Sequence, residues 1–378
     1  MPSSTDILDE LSRFSPPGER YFAHLPLRNP ALLCTLGEGN TPLVRSERLA
    51  LELGIPELYF KLESTNPSGS YKDRLMALEV SLMREDGCDI CLGPSTGNAG
   101  AALAAYAARF NIRCFIYATE KADDSKLQQM LFYGARVQRI RGFGESSEHS
   151  ARVFAGLKEF ALRNCAHLVC SAFRYNPVAM AAVKTIAFEI CEQLNGKPVD
   201  HVFVPVAGGG LISAMWKGFR EFCSLGRSEF LPKMNAVQSA GCPVVVRAVR
   251  RGGTPEATRS NTVIGPLAAS FAPDGELAVR SILDSGGWGY DPTDEEIFDA
   301  QQRLAVQEGI FAEPTAAASV AGLVRARREN KVSPKERVVC LISGHGFKDP
   351  DSVASANRNH PISSIELDEL LARTIPLD

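Results

Sequence analysis

The 378-residue sequence lacks any apolar run that approaches the ~18 residues needed to span a membrane. Its first 20 residues also lack the basic start and apolar core of a signal peptide. Lysine and arginine number 41 against 44 acidic residues, so the net charge is only −3. No block of like charges favours a nucleic acid or a membrane surface as a partner. These absences predict a cytoplasmic protein with neither kind of partner.

A disulfide framework and a zinc-binding pattern are also missing. Ten cysteines are scattered without regular spacing, and several fall within predicted buried strands, where cysteine acts as a small apolar residue in a reducing compartment. Cys88 and Cys91 form one C-x-x-C pair, but no second pair stands at zinc spacing and the segment itself favours a strand. We therefore expect no bound metal.

Short apolar runs alternate with longer helical patterns over most of the chain, which predicts an α/β fold with a mostly parallel sheet covered by helices. The length allows two or three domains. The predicted strands are 58–62, 89–93, 113–118, 136–140, 167–170, 201–206, 234–238 and 338–342. The predicted helices are 71–84, 98–110, 123–133, 146–164, 177–194, 211–222, 294–306 and 315–328.

The region from Arg250 to Asp291 interrupts this alternation with many Gly, Pro and Ser residues. It could be a disordered linker, but a long loop inside a compact domain is more often functional, so we favour a loop over the active site. Beyond Asp351 the tail ends in an amphipathic stretch at 365–372, which could dock on this subunit or on another.

The segment NPSGSYKDR at 66–74 places a lysine between a predicted strand and a predicted helix. Its proline and glycine favour a tight turn, and Ser70 is a candidate helix N-cap. Lys72 then lies in the first helical turn, where the helix dipole disfavours a positive charge. A neutral lysine is what Schiff-base chemistry needs, so Lys72 is a candidate catalytic residue. A solvated surface lysine is the alternative.

The segment VFVPVAGGGL at 202–211 is a predicted buried strand followed by three glycines and a helix. Consecutive backbone N–H groups can converge there on one anion, and the helix adds its positive end. No Lys-Ser or Lys-Thr pair follows, so the loop is no Walker A motif, and Ser213 stands where a dinucleotide fingerprint has its third glycine. A lone phosphate monoester fits best, whereas a simple tight turn is the alternative.

Two further predicted strands end in polar turns. Ser95, Thr96, Gly97 and Asn98 combine hydroxyls with a helix start, which suits a carboxylate, although an ordinary N-cap explains them equally well. Ser343 opens a glycine-bracketed turn that continues to Asp349. Because open parallel sheets bind ligands beyond the carboxyl ends of their strands, we expect these turns and the glycine loop to face one crevice.

The segment from Glu308 to Thr315 places Glu313 just before Pro314 at a predicted helix start. A carboxylate at this position is a candidate for the same crevice, and it also has a purely capping use.

An imine-forming lysine, a phosphate cradle and a carboxylate cradle together suggest pyridoxal phosphate holding an amino acid. The motifs from residues 35 to 350, which include LGEGNTPL at 36–43, resemble those of the tryptophan synthase β-like (fold type II) family of pyridoxal-phosphate enzymes. Within that family the chain is most similar to the threonine synthase subgroup. The resemblance implies two open, mostly parallel sheets with helices on both faces. It also implies a larger cofactor domain at 1–82 and 171–378, a smaller inserted domain at 83–170, and a homodimer.

The resemblance also implies a role for each candidate residue. Lys72 would hold the cofactor and act as the catalytic base, Asn98 would hydrogen-bond the phenolic oxygen of the cofactor, and Ser343 would meet its pyridine nitrogen. The cofactor phosphate would lie on the loop formed by Ala207, Gly208, Gly209, Gly210 and Leu211. The substrate carboxylate would lie on Ser95, Thr96 and Gly97.

The implied reaction converts O-phospho-L-homoserine and water to L-threonine and phosphate by γ-elimination and β-addition. The sequence departs from the subgroup in its phosphate loop, which is similar to that of serine and threonine dehydratases. It departs again at Ala179, where the subgroup has an arginine for the substrate phosphate, and Arg174 or the 121–126 segment could replace that arginine. The alternative activity is a pyridoxal-phosphate-dependent serine/threonine dehydratase, or a β/γ-replacement synthase acting on another amino acid.

Overall fold

The computed structural model describes residues 20–95, 97–120, 122, 124–144, 147–359, 362 and 364–372. The strands are β1 (Leu43–Arg45), β2 (Leu58–Leu62), β3 (Ile90–Pro94), β4 (Arg113–Thr119), β5 (Arg136–Ile140), β6 (His167–Leu168), β7 (His201–Pro205), β8 (Lys233–Val237), β9 (Gly289–Tyr290) and β10 (Val338–Ile342). The helices up to residue 224 are α1 (Arg48–Leu53), α2 (Lys72–Glu85), α3 (Asn98–Arg109), α4 (Asp124–Phe132), α5 (Ser147–Arg163), α6 (Pro177–Met180), α7 (Thr185–Gln193) and α8 (Gly210–Ser224). The later helices are α9 (Val244–Arg251), α10 (Gly275–Asp284), α11 (Asp294–Glu308), α12 (Pro314–Arg328), α13 (Pro350–Ala356) and α14 (Leu367–Ala372).

The strands form two sheets. The first has six strands in the order β1-β2-β10-β7-β8-β9, and all its pairs are parallel except β1 with β2. The second has four parallel strands in the order β5-β4-β3-β6 and lies within residues 90–168. This arrangement confirms the predicted α/β class with two mostly parallel sheets, while the domain boundaries at 83 and 170 stay predictions.

The central strands of the larger sheet are its most buried elements. Every residue of β7 and β10 is buried, as expected for short apolar strands with helices on both faces. β10 pairs with β2 on one side and with β7 on the other, and all three run in the same direction. Their carboxyl ends therefore meet at one edge of the sheet, which places the turns that follow them side by side.

A buried cluster of four charges anchors α2, the helix that carries Lys72. Arg74 donates hydrogen bonds to the carboxylates of Glu63 (2.7 Å) and Glu189 (2.6 Å), and Lys61 donates to Glu189 (2.7 Å). All four side chains are at most 1% exposed, and their formal charges cancel. Buried ions are tolerated when they are paired and hydrogen-bonded in this way.

Two local predictions were wrong, and one region contains more regular structure than the sequence indicated. The single helix predicted at 177–194 is divided into α6 and α7 by a 3₁₀ turn, Ala181–Lys184, where Gly218 of α8 approaches the Lys184 carbonyl so closely that a Cβ there would lie 2.3 Å from it. The 250–291 region contains α10 and β9 in addition to its loop. Ser70 is not the N-cap of α2, because that position belongs to Tyr71.

Across the described residues, every helix is too short or too polar to cross a lipid bilayer.

Candidate active site

A cavity of about 750 Å³ opens at the carboxyl ends of both sheets. Its walls come from the turns after β2, β3, β7 and β10, and from the loop that precedes α10. Gly265, Pro266, Ala268 and Pro273 of that loop line the cavity, so the loop covers the crevice, while its role in the active site stays a prediction. The crevice therefore contains the turns that sequence analysis expected to meet.

Lys72 is the first residue of α2, and its side chain lines the cavity. Its Nζ lies 4.7 Å from the centre of the Tyr71 ring. The turn before it is fixed by β10, since the Tyr71 amide donates to the Ser343 carbonyl (3.1 Å) and Ser70 forms a bridge with Gly344. This bridge draws Ser70 away from a capping position, and within the described chain its buried hydroxyl has no hydrogen-bond partner.

The glycine loop forms the opposite wall. Residues Ala207 to Leu211 all line the cavity, and α8 begins at Gly210. The amides of the first helical turn have no acceptor within the helix, so they can bind an anion. Gly209 has φ +97°, and a Cβ there would lie 2.6 Å from the Asp274 carbonyl oxygen. Only glycine fits this position, which supports the prediction of a phosphate cradle.

Asp274 braces this cradle, and sequence analysis missed it. The Asp274 amide donates to the Gly208 carbonyl (2.8 Å), while its carboxylate accepts the amides of Phe173 (2.7 Å) and Arg174 (2.9 Å). Burial raises the pKa of the Asp274 carboxyl. No local pattern marks this residue, because Gly208 lies 66 positions away along the chain and Phe173 and Arg174 lie 101 and 100 positions away.

The turn after β3 combines a capping role with access to the cavity. The Ser95 hydroxyl accepts the Gly100 amide (2.9 Å) and the Gly97 amide (3.4 Å), so it caps α3 while it lines the cavity. Gly97 and Asn98 line the cavity as well. Thr96 lies outside the described residues. Carboxylate binding by this turn stays a prediction.

Asn98 has a partner that the sequence did not assign to it. Its side-chain amide donates to both carboxylate oxygens of Glu313 (3.0 and 3.1 Å), across 215 sequence positions. Glu313 is buried, lines the cavity and makes no side-chain cap to α12, although it occupies the N-cap position. Burial raises the pKa of the Glu313 carboxyl to about 7. The purely capping use considered for Glu313 is therefore wrong.

Ser343 lies directly after β10 and is buried in the cavity wall. Its carbonyl accepts the hydrogen bond of the Tyr71 amide, so this turn holds the start of α2. A neutral hydroxyl in this place can meet a ring nitrogen without requiring that nitrogen to carry a proton.

Two positions were considered for an arginine that binds the substrate phosphate, and neither of them places a charged side chain in the cavity wall. Ala179 is fully buried in α6, and Arg174 is exposed and does not line the described cavity wall. Lys126, in the first turns of α4, does line it.

These features fit pyridoxal phosphate. The glycine cradle accepts one phosphate, the lysine amine and the serine hydroxyl face the same cavity, and the cavity has room for a cofactor and a small amino acid. A profile of the family described as "Pyridoxal-phosphate dependent enzyme" matches residues 34–344. The chain belongs to this family, so the predicted family and the predicted cofactor are confirmed.

Curated relatives refine the class. The threonine synthase of Methanocaldococcus jannaschii is 40% identical over 341 residues, covering 89% of this chain and 82% of that one. The threonine synthase of Methanosarcina acetivorans is 36% identical over 367 residues, covering 96% and 88%. Maize serine racemase, 21% identical, superimposes with a TM-score of 0.69 over 85% of this chain and 92% of that one, which shows the shared fold alone.

Proposed function

We propose that the chain is a threonine synthase, which converts O-phospho-L-homoserine and water to L-threonine and phosphate. The observation that carries this proposal is the 40% identity to a threonine synthase over 89% of the chain. The site supports it, because a cofactor cradle, a lysine and a capped polar turn face one cavity.

When bound, pyridoxal phosphate supplies an aldehyde that condenses with amines and a ring that delocalises the electron pair left at the substrate Cα. We assign to the Lys72 amine the role of the base that would remove the Cα proton and then a second proton from Cβ. The γ-phosphate would leave with the electrons of its C–O bond and a proton would return to Cγ. Water would then add its hydroxyl group to Cβ while a proton returns to Cα, which gives L-threonine and phosphate. These steps place the proton transfers on one residue at the start of α2.

The remaining residues bind and orient. We assign the cofactor phosphate to the amides of the loop from Ala207 to Leu211, the phenolic oxygen to Asn98 and the pyridine nitrogen to Ser343. Ser95, Thr96 and Gly97 are assigned to the substrate carboxylate, which suits amides at a helix start. Glu313 holds the Asn98 amide and is a positioning residue that the sequence did not identify as such.

The test is a product analysis of the purified chain loaded with pyridoxal phosphate. Equal amounts of threonine and inorganic phosphate from O-phospho-L-homoserine, both lost in Lys72→Ala, are the expected result. Ammonia and a 2-oxo acid from serine or threonine, without any phosphate release, would replace the proposal with the dehydratase alternative. Release of phosphate without threonine would contradict the water-addition step.

A homodimer, a cytoplasmic location and the inserted domain at 83–170 belong to the same proposal. They rest on the sequence resemblance and on composition. Analytical ultracentrifugation of the purified chain tests the homodimer. A measured mass that fits one subunit would contradict it.

A further inference from the structure

Two aromatic side chains lie where the cavity meets the surface. Phe154 and Tyr175 both line the cavity, and solvent also reaches both, since Tyr175 is 44% exposed and Phe154 is half-buried. Their ring centres are 4.5 Å apart, with an angle of 38° between the ring planes. A side chain that lines a cavity and also touches solvent belongs to the cavity mouth, so this pair lies across part of the entrance.

We infer that Phe154 and Tyr175 form a size-selective gate, which admits slender amino acids to the cofactor more readily than bulky ones. Both are then specificity-determining residues that touch a ligand while it passes. The inference goes beyond the proposed reaction, because a gate acts on any amine that approaches the cofactor. It requires that one ring be held in place and that the other reach it from a separate element.

Tyr175 is the fixed side of the gate. Its amide donates to the Ala172 carbonyl (3.1 Å), and the two amides before it are held by the Asp274 carboxylate. Asn176, the next residue, caps α6 and donates to the buried Glu79 carboxylate (2.6 Å). Hydrogen bonds therefore fix the backbone on both sides of Tyr175.

Phe154 is the second side of the gate, and it belongs to α5. Leu157 and Ala161, three and seven residues later, are both buried, so they lie on the same face of the helix as Phe154. This face packs α5 against β3 and β6 and directs the Phe154 ring inward. Phe160 lies off this face, where its ring meets the edge of Tyr117 at 6.4 Å, outside the described cavity lining. The helix therefore offers one aromatic ring at the cavity and a matched ring away from it.

The contact between the two rings is weak enough to open. A ring pair of this kind shifts the equilibrium between touching and separated rings by roughly 2- to 10-fold. A narrow ligand needs only a small separation, whereas a ligand with a bulky group needs the rings to part fully. The gate should therefore slow wide ligands by about this factor and leave narrow ligands almost unaffected.

The test measures entry through the reaction of the bound cofactor with two hydroxylamines of different width. O-methylhydroxylamine is narrow and O-benzylhydroxylamine is wide, and both condense with the cofactor aldehyde and change its visible absorbance. Each rate is divided by the rate of the same reagent with free pyridoxal phosphate, which removes the intrinsic reactivity of the reagent. The proteins are the wild type, Phe154→Ala, Tyr175→Ala, the double variant of these two, Tyr175→Phe and Phe160→Ala.

We expect the wild type to react more slowly with the wide reagent than with the narrow one after this normalisation. Phe154→Ala and Tyr175→Ala should each raise the wide-to-narrow rate ratio by roughly 2- to 10-fold, while the narrow reagent keeps its rate. The double variant should gain no more than either single variant, because all three lack the same contact. Tyr175→Phe retains the ring and Phe160→Ala removes only the matched ring of α5, so both should keep the wild-type ratio.

Four outcomes would overturn the inference: a wild-type ratio in Phe154→Ala, a rise of equal size in Phe160→Ala, additive gains in the double variant, or equal acceleration of both reagents. The last result would indicate a loosened fold instead of a filter. A wild-type cofactor band in each variant before the reagent is added verifies that the site is intact. Failure of the proposed function is distinguishable, because the reagents report entry whether or not the enzyme forms threonine.

Discussion

The side of the cavity that we assign to the cofactor and the side that we assign to the substrate are built differently. The cofactor side consists of backbone at the ends of β7 and β10, two strands in which every residue is buried. The substrate side follows β3 and includes α4, in a sheet whose β5 strand has no buried residue. The first side is fixed by close packing, whereas the second is held by a few polar side-chain contacts such as Gln129 with Ser68.

This difference indicates which parts of the cavity determine cofactor binding and which determine the choice of substrate. A backbone cradle with no room for a Cβ at Gly209 can bind one group in one geometry, which suits a resident cofactor. Partly exposed side chains on the other side, such as Gln129, can be exchanged without disturbing the core, which suits recognition of a substrate. Changes on the cofactor side should therefore affect folding or cofactor binding, and changes on the substrate side should affect ligand choice.

The largest effect on activity is expected from Lys72→Ala, on the side of the cavity that we assign to the cofactor. Removing the base and the covalent anchor should lower threonine formation by at least about 10³-fold, because proton transfer and attachment are lost together. Mass measurement after borohydride reduction should find the cofactor on the wild-type chain and none on the variant. Lys331→Ala, an exposed lysine, should match the wild type. A cofactor adduct of equal yield in Lys72→Ala would contradict the assignment.

Arg74→Met tests the packing that supports the cofactor side. It leaves Glu63 and Glu189 buried with only Lys61 to balance them, so the free energy of unfolding should fall by about 3–5 kcal/mol. Arg303→Met removes a partly exposed pair with Glu52 and should cost about 1 kcal/mol or less. Urea denaturation measures both. Equal losses in the two variants would show that burial of the cluster is irrelevant.

Gly209→Ala tests the cradle itself. The added methyl meets the Asp274 carbonyl oxygen at 2.6 Å in a left-handed backbone, so affinity for pyridoxal phosphate should fall roughly 100-fold. Gly252→Ala, also left-handed (φ +67°) but with nothing within 4 Å, is the matched control and should bind the cofactor normally. Absorbance titration of the apoenzyme gives both affinities. Similar affinities in the two variants would place the phosphate elsewhere.

The smallest expected effect is a pH dependence of stability that arises from Glu313. This residue joins the two sides of the cavity through its hydrogen bonds with Asn98. Burial raises the pKa of its carboxyl from an ordinary 4.5 to about 7, so the folded state holds the proton more tightly than the unfolded chain does. The stabilisation is complete below pH 4.5 and is lost as the pH rises through about 7. Relative to Glu313→Gln, the wild-type apoenzyme should lose about 2 kcal/mol between about pH 5 and pH 7.

Urea midpoints at several pH values measure this difference. Asp73, whose carboxyl pKa burial also raises to about 7, is present in both proteins, so its contribution cancels. Parallel stability curves for the wild type and Glu313→Gln would mean that Glu313 titrates in its ordinary range.

Features set by local pattern could be predicted from the sequence. β2, β5 and β10 have the predicted limits, since alternating or continuous apolar runs between turn residues define short strands well. Lys72 and the glycine loop were found because a strand, a turn and a helix start leave a clear local signature. Their lining of one cavity follows from the parallel direction of β2, β7 and β10.

Features set by distant partners could not be predicted. Nothing near Asp274 indicates that it braces residues 173 and 174, and nothing near Asn98 indicates its pairing with Glu313. Ser70 has an ordinary capping sequence, but its bridge to Gly344 shifts the helix start by one residue. Glycine-rich composition likewise concealed α10 within the 250–291 region, because the helix is short and packed on one face.

The strand order has a consequence for synthesis on the ribosome. β10 inserts between β2 and β7, although about 130 residues separate it from the end of β7 along the chain. Until Val338–Ile342 and Ser343 have emerged from the exit tunnel, β2 and β7 have no common neighbour and Ser343 cannot reach the cavity. A chain truncated before this strand should therefore be unable to assemble the cavity wall between β2 and β7, and so unable to bind pyridoxal phosphate.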